Sequence, residues 1–323
     1  MRVEINRFLI EEIRPRINPL ELKLVTGATL EFAKELDAKS GRFVESADYY
    51  YSVYETSKNQ TEKLDAVLGL SQQLINLGRF KEARSFLYDS QSQVWNIQDI
   101  NTAEYYNASI YQKFGWIADL EGNYNSSKQL FDMSRTSITH IDESLWTQRE
   151  KEVYSTAIHF LGRANFGLAK KSMGQEKKQY LNNAISNFEE HLQTEGLADD
   201  EKGYGHAWLT RCYMSKNALG KAASEIYEVE KYFNLYLQTH SKRIDVISKL
   251  DLLRGEFEFR KGNFTLSRKN FEGILMDNQA KTKSMALYGI ASTYWAQRNY
   301  GAAFIYGLKG FTTYPLSIIK PSL

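Results

Sequence analysis

The sequence predicts an all-α protein built from repeated helix hairpins. The 323-residue chain keeps proline to its two ends, so nothing between residues 20 and 314 removes a backbone donor from a helix. The four prolines are Pro15, Pro19, Pro315 and Pro321. Good helix formers fill the interior, and alternating β-branched runs are scarce. One pattern also recurs, because GNYNSSKQLF at 122–131 returns as GNFTLSRKNF at 262–271.

The recurring stretch defines a frame that is anchored on a turn residue. An aromatic residue stands two places after Gly122, a small residue five places after it and a large apolar residue nine places after it, as Tyr124, Ser127 and Phe131. The same frame, with substitutions, has its turn residues at 41, 78, 122, 217, 262 and 298. The wide gap from 122 to 217 is predicted to hold two units. The second of them is blurred, with Ala184 and Phe188 in its second helix and KKSMGQEKKQY as a longer connection.

This residue set resembles the tetratricopeptide repeat (TPR). The resemblance implies two antiparallel helices per unit, with small residues such as Gly115 and Ser127 where the helices approach and Phe131 filling the space towards the next hairpin. Because one hairpin cannot bury its apolar face alone, the copies must stack. We therefore expect a right-handed α-solenoid of about seven hairpins. Several units exceed the usual length of about 34 residues, and this spacing is similar to that of bacterial peptide-sensing regulators and the sensor regions of signalling ATPases.

The pattern divides the chain into three parts. Residues 1–25 are predicted to form an N-terminal capping helix, amphipathic over 2–14, followed by a proline-containing turn. Residues 26–311 form the repeat array. Residues 312–323 form an apolar C-terminal tail.

Composition argues against several kinds of chemistry. The net charge of +2 gives no long-range field of the kind that nucleic-acid binders use. The single cysteine, Cys212, and five scattered histidines form no metal-ligand spacing, and no phosphate-binding loop or nucleophile elbow is present. We therefore expect a non-catalytic protein without cofactor or metal. The N-terminus lacks a signal-peptide core and no stretch is long and apolar enough to span a bilayer, so a cytoplasmic location without membrane insertion is expected.

The repeat frame predicts a concave groove lined by the first helix of each hairpin. Its candidate residues for binding a protein or an extended peptide are Gln72, Asn76, Gln112, Lys113, Trp116, Trp208, Arg211, Arg260, Tyr288 and Ser292. Trp116 and Arg211 are the expected anchors. For Trp208 and Tyr288 the alternative is packing between neighbouring helices. Arg211 and Lys113 are poorer candidates for the core, because a buried charge needs a partner.

Three functions are consistent with this reading. The first is a scaffold or adaptor that holds a protein or peptide in the groove. The second is the ligand-sensing part of a bacterial-type regulator. The third is an accessory subunit of a surface-polysaccharide or glycosyltransferase assembly, suggested by a C-terminal tail similar to those of some repeat-containing bacterial glycosyltransferases. The sequence leaves the oligomeric state open.

Overall fold

The predicted all-α fold is confirmed. The computed structural model describes residues 21–38, 42–240, 244–276 and 280–313, and over these ranges it holds fourteen α-helices and no strand. Successive helices pair as seven hairpins, the number that the repeat frame predicts. The helices are α1 (Leu30–Ala38), α2 (Phe43–Thr56), α3 (Gln60–Asn76), α4 (Phe80–Val94), α5 (Ile100–Glu121), α6 (Tyr124–Thr139), α7 (Gln148–Lys171), α8 (Gly174–Gln193), α9 (Asp199–Ser215), α10 (Leu219–Thr239), α11 (Ile244–Arg260), α12 (Phe264–Gly273), α13 (Ala280–Ala296) and α14 (Tyr300–Thr313).

The hairpins fall into two compact units. The first runs to Leu168 and the second begins at Ala169, so the boundary lies inside α7. The predicted capping helix at 2–14 and the C-terminal stretch from residue 314 lie outside the described residues. Helix α14 extends to Thr313, two residues into the predicted tail.

The predicted turn residues end the first helices in the left-handed backbone region. Their φ angles are 75° at Gly78, 75° at Gly122, 58° at Asn217, 82° at Gly262 and 63° at Arg298, while position 41 lies outside the described residues. A chain that reverses direction this tightly needs a residue with positive φ, which glycine adopts without steric cost. Five of the six turn positions are therefore confirmed, two of them at residues other than glycine.

The fourth hairpin, α7 and α8, turns more tightly than predicted. Only Ser172 and Met173 separate the two helices, and Gly174 has a φ of 56°. The expectation of a long connection over KKSMGQEKKQY was wrong, because its second half is rich in helix formers and extends α8 towards the turn.

Glycines in the first helices make room for aromatic rings of neighbouring helices. An ideal Cβ on Gly115 would lie 2.8 Å from the Phe131 ring, which is fully buried and stacks on Phe160 at 4.9 Å. Phe271 lies between two such sites, because Cβ atoms on Gly255 and Gly289 would come within 2.5 and 2.6 Å of its ring. The close approach predicted at Gly115 is confirmed, and the atoms in the gap are those of an aromatic ring.

Candidate functional site

A cavity of about 380 Å³ opens in the first unit, along the first helices of three successive hairpins. Helices α3, α5 and α7 supply most of its wall, and α1 and α2 add one residue each. Its charged and amide side chains are Lys34, Asp65, Gln72, Gln112, Lys113, Arg149 and Glu152. The wall is therefore largely polar, with three cations facing two carboxylates.

Polar contacts join the three first helices at this cavity. Lys113 Nζ on α5 donates to Gln72 Oε1 on α3 at 2.7 Å. On the other side, Gln112 Nε2 donates to the backbone oxygen of Val153 on α7. These bonds fix the orientation of the side chains before any ligand arrives, which lowers the entropy cost of binding.

A buried tyrosine holds the carboxylate of Asp65 in the cavity wall. Tyr106 donates its hydroxyl proton to Asp65 Oδ1 at 3.0 Å and to the Thr61 backbone oxygen at 3.1 Å. Burial, followed by the neighbouring Asp65 charge, raises the pKa of Tyr106 above its usual range. The hydroxyl therefore stays protonated and remains a donor to Asp65 at any physiological pH.

An arginine on α7 lies over the Tyr105 ring, and its guanidinium carbon is also 5.6 Å from the centroid of the Tyr106 ring. The Arg149 guanidinium carbon stands 3.4 Å from the centroid of the Tyr105 ring, and its side chain remains 45% exposed. Burial raises the pKa of Tyr105, and the Arg149 charge partly opposes that rise. The guanidinium also pairs with Glu150, whose Oε1 lies 3.7 Å from Arg149 Nε, and its exposed edge carries donors that can reach a ligand or solvent.

The structure brings three of the predicted groove residues together in this unit. Gln72, Gln112 and Lys113 all line the cavity. Asn76 is exposed and accepts a hydrogen bond from Gln72 Nε2 at 3.2 Å, just outside it. Trp116 is half-buried and packs against the core, with its ring centroid 6.1 Å from that of Phe160.

In the second unit the predicted anchor Arg211 is buried. Its Nε donates to Glu256 Oε2 at 3.2 Å, and its guanidinium lies 5.2 Å from the centroid of the Trp208 ring. Trp208 stacks in turn on Phe188 at 5.8 Å. The expectation that Arg211 is a poor core candidate was wrong, because Glu256 on the neighbouring first helix supplies the partner that a buried charge needs. Trp208 follows the alternative, packing between helices.

The remaining predicted residues lie towards the end of the second unit. Arg260 and Ser292 are exposed, and Ser292 Oγ donates to the Tyr288 backbone oxygen at 2.8 Å. The Tyr288 ring lies against Gly310 on α14, where a Cβ would come within 3.3 Å of it. Tyr288 therefore packs between helices, as the alternative for it states. A binding role for any of the ten residues remains a prediction.

The repeat frame did not find the part of the cavity wall farthest from the turns. Asp65, Tyr105 and Ser109 lie in the first halves of α3 and α5, and Arg149 and Glu152 lie near the start of α7. The frame places residues over roughly the last ten positions of a first helix, so it does not reach these side chains. One feature that indicates them is the length of α7. Its 24 residues extend towards the N-terminus well past the ten or so positions that the frame covers.

Two further observations limit the chemistry of the described residues. No group of three or more His, Cys, Asp or Glu side chains within them is arranged to hold a metal ion. None of their helices combines the length and the apolar character needed to cross a membrane.

Comparison with known proteins places the fold among helical-repeat proteins. No family model matches the chain, and no curated protein does. Aspartyl phosphate phosphatase F from Bacillus subtilis matches with a TM-score of 0.63 at 12% identity, over 90% of this chain and 70% of that one. A Rap protein complexed with Competence and Sporulation Factor matches with a TM-score of 0.60 at 12% identity, over 98% of this chain and 77% of that one. These likenesses confirm the TPR-like fold.

Proposed function

We propose that this chain is a non-catalytic scaffold that binds an extended protein segment or peptide at the cavity of its first unit. The observation that carries the proposal is a cavity of about 380 Å³ that runs across three consecutive first helices. A ligand there touches several repeats at once, as extended ligands of helical-repeat surfaces do. The volume falls within the roughly 300–1,000 Å³ typical of ligand sites.

The amide side chains suit the backbone of an extended peptide. A peptide offers alternating N–H donors and C=O acceptors that lose their water on binding, and each needs a partner. Gln112 uses Nε2 on Val153, and no donor among the described residues is bonded to its Oε1. That oxygen is therefore available to a ligand N–H, because an amide oxygen accepts up to two hydrogen bonds.

The charged side chains favour a ligand with few charges of either sign. Lys34 and Arg149 can each pair with a ligand carboxylate, whereas Glu152, which is exposed, can pair with a ligand cation. Since three cations face two carboxylates, the cavity has little net field. Affinity then rests on a few local contacts, and association should depend only mildly on salt.

Selection from a random peptide library displayed on phage, with the full chain as bait, tests this function. For a selected peptide, Arg149→Ala should raise the dissociation constant by roughly 5- to 30-fold, the effect of losing about 1–2 kcal/mol at an interface anchor. Lys128→Ala, on second helix α6 and paired with Asp132, is the matched control and should change it less than about twofold. Selected peptides that bind wild type and Arg149→Ala equally well would contradict the proposal.

A second candidate is the sensor part of a regulator, in which the bound segment is a signal. The likeness to a Rap protein complexed with Competence and Sporulation Factor favours keeping this candidate. A sensor requires coupling, so a selected peptide should change the affinity for a second partner, and that partner should change the affinity for the peptide by the same factor. A plain scaffold shows no such reciprocal change. A role as an accessory subunit of a polysaccharide assembly remains a sequence-based prediction.

A further inference from the structure

The last helix, α14, carries a row of exposed apolar side chains. Tyr300 is 55% exposed, Phe304 71%, Leu308 50% and Phe311 43%. Residues three and four apart lie on one face of a helix, so these four form one continuous row. Trp295 on α13 extends it, since it is 66% exposed and its ring lies 4.9 Å from that of Tyr300. We call these five residues the α14 stripe.

The stripe has an aromatic residue where two internal hairpins make a polar contact to the next hairpin. Six places after the turn residue, α4, α6 and α12 carry the cations Arg84, Lys128 and Arg268. Arg84 pairs with Glu121 on α5, and Arg268 donates to Thr293 on α13 at 3.3 Å, in each case on the first helix of the next hairpin. The corresponding residue of α14 is Phe304. A contiguous row of exposed apolar side chains is typical of a surface that contacts another element.

The stripe is suited to contact a copy of itself. The only charged residue of α14 is Lys309, which is about half a helical turn away from the row. Gly307 lies within the row, and a Cβ built on it would meet nothing within 4 Å. Glycine at that place leaves a notch where a second helix can approach closely. In a two-fold interface the same patch faces itself, so an uncharged row with a central notch meets no like charge.

We infer that the α14 stripe is a homodimer surface, on which two copies of this chain pack α14 against α14 in antiparallel orientation. A two-fold axis near Gly307 places Phe304 of one copy beside Phe311 of the other. An aromatic side chain has a surface of roughly 150–250 Å². At the stated exposures, the five residues of the stripe therefore expose about 600 Å² of side-chain surface per copy. Two copies then bury about 1,200 Å², which reaches the lower limit of specific protein–protein interfaces.

Sedimentation equilibrium of the full chain at several concentrations tests the inference. The wild type should be a dimer that dissociates on dilution, and Phe304→Glu should weaken the dimer at least tenfold while its circular dichroism spectrum stays unchanged. Tyr227→Glu is the matched control, because Tyr227 on α10 is 67% exposed and lies outside the stripe. It should leave the dimer intact.

Cross-linking gives a readout that does not depend on a destabilising change. Gly307→Cys places a thiol beside the proposed axis without a clash, and the native Cys212 is buried and cannot compete. Mild oxidation should link Gly307→Cys into covalent dimers and leave Tyr227→Cys without a covalent link between its copies. A wild type that is monomeric at about 100 μM would overturn the inference, whether residues 314–323 or another protein cover the stripe. A dimer that Phe304→Glu does not weaken would overturn it as well.

Discussion

Replacing Gly115 by leucine tests how the hairpins pack. Its ideal Cβ lies 2.8 Å from Phe131 Cε2, so even one carbon atom is too close to the ring. Phe131 is fully buried and stacks on Phe160, which leaves it little room to move away. Leucine adds three further carbon atoms, so we take the upper end of the overpacking cost, about 3 kcal/mol. Leucine has a higher helix propensity than glycine, which offsets about 0.8 kcal/mol of this cost. The free energy of unfolding should therefore fall by about 2 kcal/mol.

Thermal unfolding followed by circular dichroism measures this loss. At about 2–4 °C per kcal/mol for units of this size, the Tm of Gly115→Leu should fall by about 4–8 °C. The matched control is Gly220→Leu, because Gly220 also lies in a helix and a Cβ there meets nothing within 4 Å. It should change the Tm by less than about 3 °C. Gly196, although it lies in a loop, is unsuitable as a control because its φ of 80° strains any side chain. Equal melting temperatures for the Gly115 and Gly220 variants would refute the packing argument.

Two further predictions follow from burial. Arg211→Ala should lower the free energy of unfolding in urea by about 1–3 kcal/mol, because it removes a buried guanidinium that contacts both Glu256 and the Trp208 ring. Arg254→Ala, in a more exposed pair, should cost less than about 1 kcal/mol, and equal losses would contradict this effect of burial. Burial raises the pKa of Cys212 to about 12, so the thiol should react with a disulfide reagent at pH 8 only after unfolding. Above about pH 8.5 the unfolded chain loses this proton and the native one keeps it, so stability should fall between about pH 8.5 and 12. Fast labelling of Cys212 in the native protein at pH 8 would contradict the burial of the thiol.

The turns could be predicted from the sequence because each rests on a local requirement. Gly78, Gly122 and Gly262 are needed wherever φ is positive, and the residues around them follow at fixed distances. The turn at Gly174 escaped this reasoning because α8 has additional residues at its start. Ala184 and Phe188 keep the four-residue spacing of Ser127 and Phe131, but the frame then places the turn five residues after its actual position.

The site was harder to predict because its contacts join different repeats. Arg211 was expected to face the groove, and its burial depends on Glu256, which lies 45 residues further along. A frame within one hairpin states which face a residue occupies and not which side chain lies opposite. Arg149 was missed for a related reason, since its place at the cavity depends on how far α7 extends past its neighbours.

Photo-cross-linking of a phage-selected peptide tests the central claim most directly. Benzoylphenylalanine in place of Glu152, an exposed residue of the cavity wall, should capture the peptide covalently. The same residue in place of Gln129, which is exposed on α6 of the same unit and outside the cavity wall, should not. Mass spectrometry of the digested adduct should place the cross-link at position 152. Capture at 129 with none at 152 would contradict peptide binding in the cavity of the first unit.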